Sequence, residues 1–248
     1  MQTASDYKIA RINDSESRDI NQLLDLISLF VHDLEGPTVV MQTILRLLEQ
    51  GRLDMSNKNH SELVQSGGIA IERARSIIGD LMLISKSGEM GIPVKPEPIP
   101  LCESLKNSID LIRPSARENG VHVEFECPRK ECTVSADTDL VLRVMDNLLY
   151  NALRHSAPDS TIKVVVSQIG KKAIVSVLDD GPGFEGFDPS DLFDKYKQLS
   201  LRMQGKHRGV GLGLYFCHMA VTAMKGEIRA KARPEGGAEF SFTLNIKR

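Results

Sequence analysis

The sequence predicts an α+β protein: a helical hairpin that dimerises into a four-helix bundle, followed by helices layered on one face of a mostly antiparallel sheet. Three observations carry this. Two early segments repeat apolar residues at spacings of three and four. A proline cluster, Pro93, Pro96, Pro98 and Pro100, then interrupts the chain. Beyond it, short alternating runs rich in valine and isoleucine take turns with helical patterns.

The first helix is set by Ile20, Leu24, Ile27, Val31, Leu34, Thr38, Met41, Leu45 and Leu48, a coiled-coil seam of about four heptads. Residues 1–19 before it read as a linker. Gly51 and the polar stretch "EQGRLDMSNKNHS" suit a helix-helix connection. A second seam runs through Leu63, Gly67, Ala70, Ala74, Ile77, Leu81 and Ile84, which closes an antiparallel hairpin over residues 20–89. A lone hairpin buries little surface, so a homodimer is expected, the alternative being a monomer whose hairpin packs on its other domain. In "FVHDLEGPTVV", Pro37 has no N–H to give the carbonyl of Asp33, and a bend just past His32 is expected.

Residues 90–100 read as a short stiff linker and 101–248 as the second domain. That domain is expected to hold a helix near Leu101 to Glu118, a strand at "VHVEFEC" and a helix from Asp137 to about Ser156. Strands "TIKVVVSQI" and "KAIVSVLD" follow, then a glycine-bearing loop, a helix near Leu212 to Met224, and strands "GEIRAKA" and "AEFSFTLNI".

Composition narrows the function classes. The 248 residues are 41% hydrophobic, enough to fill the cores of two modest domains. With 31 basic and 33 acidic residues the net charge is -2, so nothing favours non-specific nucleic-acid binding. No apolar run reaches the roughly 18 residues of a membrane span, and the first residues lack a signal peptide's apolar segment. The expected location is cytoplasmic, as a whole protein or as the cytosolic part of something larger. Cys102, Cys127, Cys132 and Cys217 form no C-x-x-C pair and are expected as free, mostly buried thiols in a reducing compartment.

Three local patterns carry chemistry. In "VLRVMDNLLYNALRHS", Asn147 and Asn151 lie four apart on one helix face, either as amides held for a ligand or ion or as two solvated asparagines. Arg154 and His155 extend that end of the helix with donors suited to phosphate. In "VLDDGPGF", Gly181 and Gly183 let the backbone turn sharply while Asp179 points beyond its strand, where it could accept from an exocyclic adenine amine; a plain tight turn fits the same residues. In "HRGVGLGLYFC", Gly209, Gly211 and Gly213 precede a helix whose backbone N–H groups can receive phosphate oxygens, although three spaced glycines alone are weak evidence. The polar segment "EGFDPSDLFDKYKQLSLRMQGK" between the last two reads as a lid.

Taken in order, a helical hairpin bearing H-D-x-x-x-P, an asparagine helix, D-x-G-x-G, a lid and G-x-G-L-G-L resembles the sensor histidine kinases of two-component signalling, over about Ile20 to Ile246. The resemblance implies an α/β sandwich ATPase domain of the kind shared with gyrase, Hsp90 and MutL. It implies ATP and Mg2+ as cofactors, a homodimer, and a response regulator receiver domain as partner. His32 resembles the phosphoacceptor and Asp33 its acidic neighbour; Asn151 looks like the magnesium ligand, with Asn147 beside it. Arg154, followed by His155, sits at the basic phosphate-contacting position. Asp179 is similar to the adenine-reading aspartate, Gly181 and Gly183 to its turn, Phe193 and Tyr196 to the aromatic lid motif, and Gly209, Gly211, Gly213 and Leu214 to the second glycine box. The implied activity is autophosphorylation on His32 and transfer of the phosphoryl group to an aspartate. A scaffold or pseudokinase that binds regulators, and an ATPase of the same fold without histidine chemistry, are the other classes this nucleotide domain could serve.

Two departures from the family pattern matter. Gly36 stands where relatives often carry a threonine or asparagine that positions the water for dephosphorylating the regulator, so phosphatase activity is expected to be weak or absent. Gln198 stands where the lid often has an arginine, leaving Lys195, Lys197 or Arg202 to meet the γ-phosphate. No sensory domain is recognisable before Ile20 and no receiver domain after the last strand, so input is expected from a removed segment, from a separate protein, or from nothing at all.

Overall fold

The computed structural model describes residues 27, 30–31, 34–87, 91–128, 132–184, 188–194 and 213–247. The chain divides into two compact units, Met1–Ile78 and Gly79–Arg248.

In the first unit, residues 34–49 are helical (α1). The helix continues through Pro37. The Thr38 hydroxyl donates to the carbonyls of Leu34 and Glu35 there, at 2.9 and 2.8 Å. Gly51, at φ +61°, ends α1: its N–H donates to Leu48 O and that of Arg52 to Leu47 O, a left-handed cap that a glycine adopts without strain. The second helix, α2, spans Lys58–Ser87, and its N-terminal side is anchored by Asn57, whose side chain accepts from Asn59 N. Phe30, Ala70 and Ile77 are buried in the unit, whereas Ile27, Val31, Leu45, Leu48, Ile71 and Ile78 are exposed. The hairpin therefore has two apolar stripes and closes only one of them.

The second unit holds a short antiparallel ribbon of β1 (Glu97–Pro100) and β3 (Thr133–Ala136), and a five-stranded sheet. The sheet uses β2 (His122–Glu126), β4 (Thr161–Ile169), β5 (Lys172–Asp179), β6 (Ile228–Ala232) and β7 (Ala238–Asn245), in the order β2-β4-β5-β7-β6. Among the described residues, only β2 and β4 pair in parallel. Burial alternates strictly along β5 and β7, so one face of the sheet is dry. Helices α3 (Leu101–Glu118), α4 (Thr138–His155) and α5 (Gly213–Ala223) pack on it, with Leu105, Ile109, Met145, Leu148, Phe216 and Phe242 among the fully buried side chains. This helical N-terminal region followed by an α/β sandwich is the fold class the sequence predicts. Asp137 starts α4: its carboxylate accepts from Leu140 N at 3.2 Å and from Lys95 N at 2.8 Å.

Two expectations are corrected. Glu97–Pro100, read as part of a linker, is a strand; Pro98 and Pro100 are tolerated because the ribbon has only two strands and leaves edge positions that need no donor. The four cysteines are not all free: Cys102, opening α3, is joined to Cys127, just past β2, with Cα atoms 6.2 Å apart. Their sequence separation of 25 offers no spacing cue; the pairing follows from packing α3 beside β2. Cys132 and Cys217 are free and buried.

Candidate nucleotide site

Alternation along β5 delivers Asp179 to the dry face. Val175 and Val177 occupy the two preceding inward positions, and Asp179, 2% exposed, takes the next. A carboxylate on such a face is costly unless bonded. Gly181 N donates to Asp179 Oδ1 at 2.9 Å. Burial pushes the Asp179 carboxyl above the ordinary carboxylate value, and backbone N–H bonds from Gly181 and Ala238, with the nearby Arg233 charge, offset part of that rise.

The turn holding this carboxylate is braced from the β6–β7 connection. Arg233 Nη1 donates to Asp179 O at 2.8 Å and to Asp180 Oδ1 at 2.7 Å, while its other nitrogens reach Glu235 Oε1. Asp180 Oδ2 accepts from Thr161 N at 3.0 Å. Burial opposes ionisation of Asp180, but the Thr161 bond and Arg233 outweigh it and hold its carboxyl below the ordinary value. The two adjacent aspartates thus do different work: one faces the dry side and the other ties the strand ends together. Gly237, at φ +88°, lies so close under Asp179 O that any Cβ would overlap it, and a Cβ on Gly181 would meet Asp179 Oδ1 and His155 O at 2.8 Å.

Asp179 forms one wall of a cleft whose other polar members, Asn151 and His155, come from the last turns of α4. Phe184, Leu192, Leu214, Ala238 and Phe240 supply apolar walls, and Pro182 and Gly183 the rim. Gly183 has φ +71°. Phe184 and Phe193 each meet Phe240 edge-to-face, at centroid distances of 5.6 and 6.5 Å, which fixes the aromatic side. Phe193 ends a short 3-10 helix, Pro189–Phe193, and is 8% exposed. A slot with apolar flat walls and one buried carboxylate suits a planar base bearing an amine. Asn151, half-buried, lines the same cleft, and its amide oxygen is a donor type that an Asn-held Mg2+ would use.

The structure brings Asn151, His155, Asp179, Gly183 and Leu214 together on one cleft, with Gly181 beside them. It does not place Asn147 on that wall: Asn147 is 3% exposed, and its Nδ2 donates to Asp80 Oδ2 at 3.2 Å and to Arg143 O at 3.0 Å. Arg154 is exposed in the last turn of α4 and is not a wall residue. Gly213 opens α5 against Asn147 Oδ1. His32, Asp33, Lys195, Tyr196, Lys197, Gln198, Arg202, Gly209 and Gly211 lie outside the described residues. Sequence reading missed Asp80, Asp180, Arg233 and Gly237; only the "EGG" after Arg233 and the doubled aspartate offered a signal.

The sheet, the cleft and its buried carboxylate define a class, the ATP-binding α/β sandwich. Residues 136–248 match the family described as histidine kinase-, DNA gyrase B-, and HSP90-like ATPase. The chain is 24% identical over 228 residues to the adaptive-response sensory kinase SasA of Synechocystis sp., covering 90% of this chain and 59% of that protein. It is 28% identical over 222 residues to the sensor protein KdpD of Clostridium acetobutylicum, covering 89% of this chain and 24% of that protein. It thus spans less than two thirds of either relative. The Acinetobacter baumannii histidine kinase AdeS shares the fold with a TM-score of 0.59 at 19% identity, over 88% of this chain and 98% of that one. Over most of its length the chain is thus similar to sensory kinases and sensor proteins that carry this ATPase domain.

Proposed function

We propose that this chain is the kinase core of a two-component sensor, which binds Mg-ATP in the second unit, phosphorylates His32, and passes the phosphoryl group to an aspartate on a response regulator receiver domain. The observation that carries the reading is the buried Asp179 carboxylate sharing an apolar cleft with Asn151. Asp179 accepts the adenine amine, and Phe184, Leu214 and Phe240 enclose the ring. Asn151 would hold Mg2+, which would supply charge that offsets the repulsion between phosphates and an incoming nucleophile. His155, Arg154, Lys197 and the glycines at 209, 211 and 213 contact the phosphates.

The imidazole of His32 is neutral in part near pH 7, since an ordinary histidine titrates at about 6.5, and its lone pair attacks the γ-phosphorus. An N–P bond forms as the bridging P–O bond breaks; ADP leaves, and Asp33 takes the proton released from the ring. The hairpins of two copies form the four-helix bundle, and the open apolar stripe of the first unit supports that assembly. Phosphatase activity is weak because Gly36 has no side chain to orient water.

The purified protein with γ-labelled ATP should acquire acid-labile, base-stable label, and His32→Gln should abolish it. Label that survives in His32→Gln refutes the assignment; an ATPase or a scaffold of the same fold would show no histidine-bound label at all.

A further inference from the structure

Resting on that reading of the cleft, we infer that Asp80 is a positioning residue of the nucleotide site, which locks the α4 face against which the first turn of α5 seats. Asp80 lies near the C-terminal end of α2 and belongs to the second unit. It is 2% exposed, an unusual place for an aspartate unless both oxygens are bonded. Its Oδ1 pairs with Arg143 Nη2 at 2.5 Å, and its Oδ2 accepts from Asn147 Nδ2 at 3.2 Å. Arg143 and Asn147 are four apart on α4, so one carboxylate holds two successive turns of the helix that carries Asn151.

Both of those side chains also touch α5. The Arg143 guanidinium lies over the Phe216 ring, 5.0 Å from its centroid. Asn147 Nδ2 is committed to two acceptors, Asp80 Oδ2 and Arg143 O, which fixes the amide and turns Oδ1 toward Gly213. The approach is close enough that a Cβ on residue 213 would overlap Asn147 Oδ1, and a Cβ on Gly79 would come within 2.6 Å of Arg143 Nη2. Bare backbone at 79 and 213 therefore brackets the pair on both sides. Gly213, the last glycine of the box proposed to receive phosphate, opens the first turn of α5, and Phe216 completes it. Asp80 bonds Arg143 and Asn147, neither of them a wall residue of the cleft; through them it acts on the phosphate end of the site, and the adenine end is built separately on Asp179.

In Asp80→Asn the new amide keeps the shape but sets a donor against either Arg143 or Asn147, so one of the two ties that hold the α4 face against α5 is lost. Binding of Mg-ATP and of AMP is measured by calorimetry, beside thermal melting, for wild type, Asp80→Asn, Arg143→Met and the double variant. The expected result is Mg-ATP affinity weakened about tenfold in Asp80→Asn, AMP affinity within about twofold of wild type, and a double variant no worse than the single ones, because each single change leaves the other charge without its partner. Equal losses for Mg-ATP and AMP, or unchanged Mg-ATP binding in a folded Asp80→Asn, overturn the inference while leaving the nucleotide site standing. Wild type that binds neither nucleotide overturns the functional reading and the inference with it.

Discussion

The Asp179 carboxyl shows how a residue proposed for binding opposes the stability of its own fold. Its pKa is raised in the folded chain, first by burial. Between the unfolded value and the raised folded one, the native state binds the extra proton, so this group's contribution to stability falls as pH rises through that window. Above that window the empty protein holds an ionised carboxylate at a cost, which the proposed contact with the adenine amine would recover. Asp179→Asn should weaken Mg-ATP binding by about 1–3 kcal/mol, the scale of a lost charged hydrogen bond. The same variant, without nucleotide, should lack the wild-type gain in melting temperature on mild acidification. Affinity for ATP should fall in wild type over that same acidic window as Asp179 takes its proton. An unchanged ATP affinity in Asp179→Asn, or an identical pH profile of melting, would refute the assignment. Asp180 works in the opposite sense: its lowered pKa stabilises the fold above the unfolded value and loses that contribution as pH falls.

At the scale of elements, α1 tests the expectation about dephosphorylation. Gly36 is exposed, inside helix, and a Cβ there would meet nothing within 4 Å. A threonine can thus be placed without repacking, and by propensity it does not weaken the helix. Gly36→Thr should raise the rate of Mg-dependent dephosphorylation of the phospho-regulator by about tenfold or more, the scale of positioning one water, with autophosphorylation retained. Dephosphorylation as fast in wild type as in the variant would remove Gly36 as the cause. The elements around the cleft were legible to different degrees, for physical reasons. Strands β4 and β5 were readable to the residue because one dry face imposes alternation, and α3 and α4 because their apolar stripes are strong. The β1 strand was hidden by prolines that a two-stranded ribbon tolerates. Asn147 and Asn151 share a helix face, yet meet different partners, since Asp80 is 67 residues away in sequence from the amide it accepts from. The same holds for Arg233, whose bond to Asp180 spans 53 residues. Local pattern finds the groups that face a ligand; the groups that hold them in place come from other segments and announce themselves only once the chain has folded.

At the scale of the whole molecule, the helical unit carries the case for assembly. Its inner stripe, with Phe30, Ala70 and Ile77, is closed within one chain. Its outer stripe leaves Leu45 at 56%, Leu48 at 59% and Ile71 at 47% exposed, at spacings that keep them on the same sides of α1 and α2. Single exposed leucines are common, but a repeating row along two adjacent helices is the pattern of a bundle seam missing its other half. A symmetric dimer uses each residue twice, so one substitution removes two contacts. Burying a leucine is worth about 1.5–3 kcal/mol, and Leu45→Asp should therefore cost a dimer roughly 3–6 kcal/mol, a hundredfold or more in its dissociation constant. Sedimentation across a concentration series reads this directly. Mg-ATP affinity in the same variant should stay within about twofold, because Asn151, His155 and Asp179 all lie in the second unit, which has its own core. A monomeric wild type, or a Leu45→Asp variant that associates as tightly as wild type, would mean that the outer stripe has another occupant. Loss of ATP binding together with loss of the dimer would mean that the second unit depends on the assembly for its fold.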